Sequence, residues 1–236
     1  MGRAFEYRKA AKMKRWGNMS RVFPKLGRAI TVAAKEGVPD PTMNAKLRAA
    51  IANAKSEGMP KDNIDAAIKR ASGRDAVDYT EIVYDGKGPH GTLFMIECAT
   101  DNPTRTIANI RAIFTKAGGQ IVQSGSLDFM FSRKSVFEFE KPNGMDLEEL
   151  ELNLIDAGLE EMSVDENTVY VYGDYTNFGS IAAALEELKI EVKKSALERV
   201  PTSPIEVTDE QMADIEKIIE KIEDDDDVQA VFTNLA

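Results

Sequence analysis

The order of predicted elements over residues 134–199 constrains the fold more than any other feature of this sequence. Short β-rich stretches that alternate with helices predict a strand at 134–140, followed by a helix at 146–157. Two further strands, a second helix at 176–187 and a last strand complete the series. This order, β-α-β-β-α-β, is the ferredoxin-like arrangement, so the sequence predicts an α+β fold.

Elements on either side of this unit predict a second α+β domain built from two separate stretches of chain. Strands at 81–85 and 92–99 precede a helix at 104–117, and a further strand is predicted at 126–131. After residue 201 only one helix and one strand remain, too few to form a domain alone. We therefore expect the ferredoxin-like unit to be inserted into a discontinuous middle domain. The predicted domains are a basic helical domain at 1–76, the middle domain at 77–132 plus 202–236, and the ferredoxin-like domain at 133–201.

Apolar side chains recur at helical spacing in three stretches of the N-terminal region, which predicts a three-helix bundle. Ser20 is the predicted cap of the first helix, which ends before Gly37. Asp40 and Pro41 are the predicted cap and first residue of the second helix. Pro60 precedes the third.

Charge is divided unevenly between the two parts of the chain. Residues 1–74 carry 17 Lys or Arg and 6 Asp or Glu, a formal net charge of +11, whereas residues 75–236 carry 13 and 34, a net charge of −21. A split of this size favours a polyanionic partner, usually nucleic acid, for the basic part. The alternative is a helical domain whose lysine-rich face contacts only water.

Basic side chains in the predicted helices follow steps of three, four and seven residues, which place them on one helical face. Like charges at this spacing destabilise an isolated helix by roughly 0.2–0.5 kcal/mol per pair, so an anion that neutralises them explains the rows more readily. The candidate nucleic-acid-binding residues are Arg8, Lys9, Lys12, Lys14, Arg15, Arg21, Lys25, Arg28, Lys35, Lys46, Arg48, Lys55, Lys61, Lys69 and Arg70.

Arg105 is a candidate for a secondary anion site, because it lies where the helix at 104–117 begins. The alternative for this residue is an ion pair with Asp101.

Aromatic residues also lie among the first basic residues. Phe5, Tyr7 and Trp16 could stack on unpaired bases or pack against the bundle.

Signatures of catalysis and of metal binding are sparse. The only histidine, His90, lies in the turn GKGPHG, and the only cysteine, Cys98, lies in an apolar stretch. The acidic residues at 224–227 are contiguous, which is more typical of a solvated connector than of a cation site with alternating carboxylates. We therefore expect no catalytic residue, no metal and no cofactor.

Hydropathy argues against a membrane partner. No apolar stretch reaches the roughly 18 residues that a membrane-spanning helix requires, and the N-terminus has no apolar signal-peptide core. A single cysteine suits a reducing compartment. We expect a cytoplasmic protein, and no small-molecule substrate is evident.

Five segments, in this order along the chain, resemble the YebC-like family of bacterial proteins and its relatives, among them the mitochondrial translational activator of cytochrome c oxidase. The segments are RKAAKMKR from Arg8, ITVAAKEG from Ile30, MPKDNIDAAIKRASG from Met59, ECATDNPTRT from Glu97 and GSLDFMF from Gly125. The resemblance implies a helical bundle followed by two α+β domains, and a protein that is not an enzyme.

For function, the resemblance implies a probable transcriptional regulatory protein that binds DNA. The alternative it implies is a ribosome-associated translation factor that binds rRNA and relieves stalling. The sequence contains no recognition-helix motif, and phosphate contacts without base readout suit rRNA as well as DNA. The choice between DNA and RNA therefore stays open.

Overall fold

The structure is a computed structural model that describes residues 19–72, 78–141 and 144–236. It confirms an α+β fold with N-terminal helices and two antiparallel sheets. Within the described ranges, no helix combines the length and the apolar composition needed to cross a membrane.

The chain divides into two compact units, which are described separately. The first unit contains Met1–Val32, Ala66–Ser132 and Val200–Ala236, and the second contains Ala33–Asp65 and Arg133–Arg199. The units divide the N-terminal helices between them. The predicted boundaries of the helical, middle and ferredoxin-like domains therefore stay predictions.

All three predicted N-terminal helices are present, as α1 (Met19–Glu36), α2 (Ala45–Ser56) and α3 (Lys61–Ser72). The predicted start of α1 is wrong, because Ser20 is itself helical and does not cap the helix from outside. Pro24 is consequently the sixth residue of α1 and lies inside it. A proline at this depth removes one main-chain hydrogen bond from the helix.

The predicted cap of α2 is also wrong, because the helix starts later than Asp40. Asp40 instead closes a tight turn, in which its carboxylate accepts a hydrogen bond from the Thr42 main-chain N–H at 2.8 Å. Asn44 is the actual cap, and its Oδ1 accepts a hydrogen bond from the Leu47 main-chain N–H at 3.0 Å. Both side chains are good caps; the turn at Asp40 moves the start of the helix to the second of them.

The first sheet consists of β1 (Thr80–Lys87), β2 (Leu93–Thr100), β3 (Gln120–Val122) and β8 (Val228–Thr233). The strands lie in the order β3-β1-β2-β8. The C-terminal strand β8 pairs antiparallel with β2, with Phe94 opposite Thr233. Two helices cover one face of this sheet, and Phe94 and Phe114 meet edge to face in the core between them. The two helices are α4 (Pro103–Lys116) and α7 (Asp209–Glu223).

The strand predicted at 126–131 is wrong. Asp128–Met130 forms a single 3₁₀ turn, and the next strand starts only at Phe131. The buried carboxylate of Asp85 accepts a hydrogen bond from the Leu127 main-chain N–H at 2.8 Å, which holds this segment as a turn. Leu127 and Phe131 are both buried because the turn brings them to the same side, and not because a strand alternates.

The second sheet consists of β4 (Phe131–Glu140), β5 (Leu159–Asp165), β6 (Thr168–Asp174) and β7 (Val192–Pro201). The strands lie side by side in the order β5-β6-β4-β7. Along the chain, strands and helices follow one another as β-α-β-β-α-β, which confirms the predicted order. Alternate residues of the central strands, Phe137 and Phe139 on β4 and Val169 and Val171 on β6, face the two helices and form the core with them. The two helices are α5 (Leu147–Ile155) and α6 (Phe178–Glu187).

Strand β7 lies at one edge of the second sheet, and a side chain of α2 covers part of that edge. The Nδ2 atom of Asn53 donates a hydrogen bond to the Ser195 main-chain oxygen at 2.6 Å. The Ser195 main-chain N–H donates to Asn53 Oδ1 at 2.9 Å. The side-chain amide thus forms the pair of hydrogen bonds that a neighbouring strand would form.

Candidate functional site

Asp227 lies at the centre of a buried polar network in the first unit. Its Oδ1 atom accepts a hydrogen bond from Arg28 Nη1 at 2.6 Å. Its Oδ2 atom accepts three, from Thr100 Oγ1 at 2.9 Å, Arg105 Nη2 at 2.8 Å and Thr106 Oγ1 at 2.6 Å. The Asp227 side chain is only 3% exposed. Four donors therefore compensate the loss of water around this carboxylate.

The network forms where three main-chain segments of the first unit meet. Thr100 ends β2, and Asn102 then caps α4 by accepting a hydrogen bond from the Arg105 main-chain N–H at 3.1 Å. Thr106 therefore lies in the first turn of α4. Asp227 directly precedes β8, and its main-chain oxygen accepts a hydrogen bond from the Ala99 N–H at 2.8 Å. The pairing of β8 with β2 thus places this carboxylate at the start of α4.

Burial and hydrogen bonding act in opposite directions on the Asp227 carboxyl. Burial alone would raise the pKa of Asp227, but the hydrogen bonds from Thr106, Arg105, Arg28 and Thr100 outweigh it and lower the pKa to about 2. The hydrogen bonds to Asp227 and Asp101 raise the pKa of Arg105 above its ordinary value. Asp227 is therefore an anion at neutral pH.

Two cations of α1 reach the same region of the first unit. Besides its bond to Asp227, Arg28 Nη1 donates to the Ala99 main-chain oxygen at 2.7 Å, and its guanidinium carbon lies 4.8 Å from the centre of the Tyr79 ring. Lys25 Nζ donates to the Glu223 main-chain oxygen at 2.6 Å. Burial lowers the pKa of Lys25, although the carboxylates at 223–226 act in the opposite direction.

Residues 223–227 connect α7 to β8 and are called the acidic turn below. The expectation of a solvated connector is wrong for Asp227, which is buried, whereas Asp224 and Asp226 are exposed as expected. Asp225 accepts hydrogen bonds from Asn109 Nδ2 and from the Asp227 main-chain N–H, both at 2.9 Å. The four aspartates of the acidic turn, at 224–227, line an open groove together with Arg28, Asp101, Arg105 and Asn109. Across residues 19–72, 78–141 and 144–236, no group of three or more His, Cys, Asp or Glu could hold a metal ion.

Arg105 forms the ion pair that the sequence left open as one of its two roles. Its Nη2 atom lies 2.7 Å from Asp101 Oδ1 and 2.8 Å from Asp227 Oδ2. Two carboxylates thus contact one guanidinium. The secondary anion site at Arg105 stays a prediction.

Other predicted phosphate-binding side chains lie on the surface of the helices. Lys46 pairs with Glu36 at 2.5 Å, and Arg48 Nη1 donates to the main-chain oxygens of Pro41 and Thr42. The exposed members of the predicted set are Lys35, Lys46, Arg48, Lys55, Lys61, Lys69 and Arg70. Apart from Lys25 and Arg28, the other members lie outside the described residues or have side chains that do; these are Arg8, Lys9, Lys12, Lys14, Arg15 and Arg21.

Among the described members of the predicted set, Lys25 and Arg28 both contact the acidic turn, Lys25 at the main-chain oxygen of Glu223 and Arg28 at the carboxylate of Asp227. Sequence reasoning missed Asp227, Thr100 and Thr106 as partners of Arg28. Asp227 is 199 residues from Arg28 in the chain, so no local spacing could reveal the contact. The one available signal was the acidic run directly before the last predicted strand.

Comparison with known proteins places the whole chain in one family. The model for the TACO1/YebC protein N-terminal domain matches residues 3–74, and the model for the TACO1/YebC second and third domain matches residues 79–235. A probable transcriptional regulatory protein of Wolinella succinogenes is 67% identical over the full length of both chains. Proteins with the same description from Campylobacter curvus and Sulfurimonas denitrificans are 62% and 61% identical, also over full length.

A solved structure shares the fold. The crystal structure of a conserved hypothetical protein from Aquifex aeolicus is 32% identical and superposes with a TM-score of 0.81. The match covers 93% of this chain and 91% of that one. The family models together span almost the entire sequence. The chain belongs to the TACO1/YebC family.

Proposed function

We propose that this protein is a non-enzymatic, cytoplasmic regulator of transcription that binds DNA through cations of its N-terminal region. Support comes from the relatives described as probable transcriptional regulatory proteins. The observation that carries the proposal is the exposure of Lys55, Lys61, Lys69 and Arg70 on α2 and α3. Exposed cations in a chain that is strongly acidic elsewhere are suited to a polyanion.

The acidic remainder of the chain has a part in this function. Residues 75–236 carry a net charge of −21, so a polyanion repels them and approaches the basic region. The charge division thus orients the protein on nucleic acid. It also limits indiscriminate coating of the polymer.

Contacts to the phosphate backbone dominate this mode of binding, because the sequence contains no recognition-helix motif and, within residues 44–72, two of the three amide side chains are bound to the protein itself. Asn44 caps α2 and donates to the Ala33 main-chain oxygen at 2.8 Å. Asn53 is bound to the Ser195 main chain. Asn63 is the exposed amide side chain of α2 and α3. Backbone contacts fix orientation but carry no sequence information.

Binding without base readout also favours the alternative function, a ribosome-associated translation factor that binds rRNA. Phosphates of rRNA offer the same charges as those of DNA, and shape dominates recognition of paired RNA. The two functions share the cations and differ in the polymer. They differ also in where the protein is found in a cell extract.

The experiment is a salt titration of binding by the full chain to a duplex DNA and to a structured RNA of equal length. We expect log affinity to fall linearly with log salt on the preferred polymer. No binding to either polymer at low salt contradicts the proposal. Sedimentation of cell extract with and without RNase then separates the two functions, because comigration with ribosomes that RNase abolishes favours translation.

A further inference from the structure

Lys25 and Arg28 are one helical turn apart on α1, and both are occupied by groups of the acidic turn. Lys25 contacts the main-chain oxygen of Glu223 at 2.6 Å, and Arg28 contacts the carboxylate of Asp227 at 2.6 Å. The Arg28 side chain is 14% exposed. Both residues belong to the cation row that the sequence assigned to nucleic acid.

The acidic turn presents the chemistry of a nucleic-acid backbone to these two cations. It carries five consecutive acidic side chains, at positions 223–227. It also follows the C-terminal end of α7, where aligned peptide dipoles leave partial negative charge on the last carbonyls. Closely spaced negative charges and oxygen acceptors are what a phosphate backbone offers to Lys and Arg.

We propose that the acidic turn is an autoinhibitory element that competes with nucleic-acid phosphates for Lys25 and Arg28. This inference rests on the proposed function. Nucleic acid that captures the two cations must displace them from Glu223 and Asp227. Free protein therefore has two fewer phosphate contacts available than its sequence offers, and its affinity is lower by the cost of this displacement.

Displacement does not require the first unit to unfold. Asp227 Oδ2 keeps its hydrogen bonds from Thr100, Thr106 and Arg105 when Arg28 leaves Oδ1. Glu223 and Lys25 are half-buried, so water can reach the carbonyl that Lys25 vacates. New side-chain rotamers of Lys25 and Arg28 are therefore sufficient.

The test compares two full-length variants that lose the same charge. Asp224→Asn with Asp226→Asn weakens the acidic turn, because these two exposed carboxylates attract Lys25. Glu186→Gln with Glu187→Gln is the matched control, since these residues are also exposed at the C-terminal end of a helix, α6. Both variants change net charge equally, so their difference isolates the acidic turn from the overall charge of the protein.

We expect the acidic-turn variant to bind duplex DNA at least about fivefold more tightly than the control, the lower end of typical coupling between sites. Its salt slope should be steeper by roughly 0.9 for each cation released.

The outcomes separate the two levels of the argument. If the wild type binds DNA and the two variants have equal affinities and slopes, the inference is overturned and the proposed function stands. If wild type and both variants all fail to bind nucleic acid, the proposed function is wrong, and the autoinhibitory role is wrong with it.

Discussion

Arg28 on α1 and Arg70 on α3 belong to the same unit and to the same predicted binding set, but they differ in what surrounds them. The Arg28 side chain is 14% exposed and contacts a carboxylate that is 3% exposed. Arg70 is exposed, and its Nε atom donates to the Ala66 main-chain oxygen of its own helix at 3.3 Å. Net charge counts the two residues equally, whereas only Arg70 offers its charge at the surface.

The largest expected effect concerns the partner of Arg28. Asp227→Ala leaves two arginines and two buried threonine hydroxyls without their shared acceptor, and removing one member of a buried ion pair costs about 3–5 kcal/mol. Chemical denaturation of the full chain measures this loss. Asp226→Ala, at the exposed neighbouring position, should change the free energy of unfolding by less than about 0.5 kcal/mol. Equal losses of unfolding free energy in the two variants would show that the buried network around Asp227 does not stabilise the fold.

The two arginines themselves give the next largest effect. Arg28→Gln removes a charged hydrogen bond from Asp227 while three donors remain, so we expect a loss of about 1.5–3 kcal/mol in the free energy of unfolding. Arg70→Gln should change it by less than about 0.5 kcal/mol, because the residue is exposed. Similar denaturation midpoints for both variants would remove the distinction between the buried and the exposed arginine.

The next prediction concerns the contribution of exposed cations on α3 to the salt dependence of DNA binding. Replacing Lys61, Lys69 and Arg70 by glutamine removes up to three phosphate contacts, so the salt slope of log affinity on duplex DNA should flatten by roughly 2–3 units. The matched control is Lys116→Gln, Lys217→Gln and Lys221→Gln, three exposed lysines on α4 and α7. An equal change of slope in both triple variants would mean that only net charge matters.

The last expected effect is a pH dependence of stability. The pKa of Asp227 is about 2 in the folded protein, below the ordinary value of about 4 in an unfolded chain. Its stabilising contribution is therefore complete above pH about 4 and is lost as pH falls toward 2. The free energy of unfolding of the wild type should fall more steeply over this interval than that of Asp227→Asn. Parallel curves of unfolding free energy against pH for the wild type and Asp227→Asn would show that another carboxyl is responsible. As a control, Arg70→Gln should follow the wild-type curve.

Local periodicity was sufficient to predict most of the fold. The apolar stripe of Ile64, Ala67 and Ile68 predicts α3, and the β-rich stretch around Phe137 and Phe139 predicts β4. These patterns are reliable because each reflects one buried face of one element. The β-α-β-β-α-β order followed from such patterns alone.

The misplaced elements have two physical causes, a contact from a distant part of the chain and a competing local turn. Leu127 and Phe131 were interpreted as a strand because the buried Asp85 that organises their turn lies about 40 residues earlier. Asp40 and Pro41 have the residue types of a helix cap and first residue, but the Asp40 carboxylate instead closes a turn with Thr42. The role of Asp227 was not predictable for the same reason, since its partners come from α1, β2 and α4.

Asn53 has a consequence for how copies of this protein behave toward one another. An edge strand with unpaired main-chain groups is a template on which a strand from another molecule can add. The Asn53 amide occupies both main-chain groups of Ser195 on the edge strand β7, so a foreign strand would have to displace it there. We therefore expect the Asn53 side chain of α2 to hinder the addition of a strand from another molecule at this point of the second sheet.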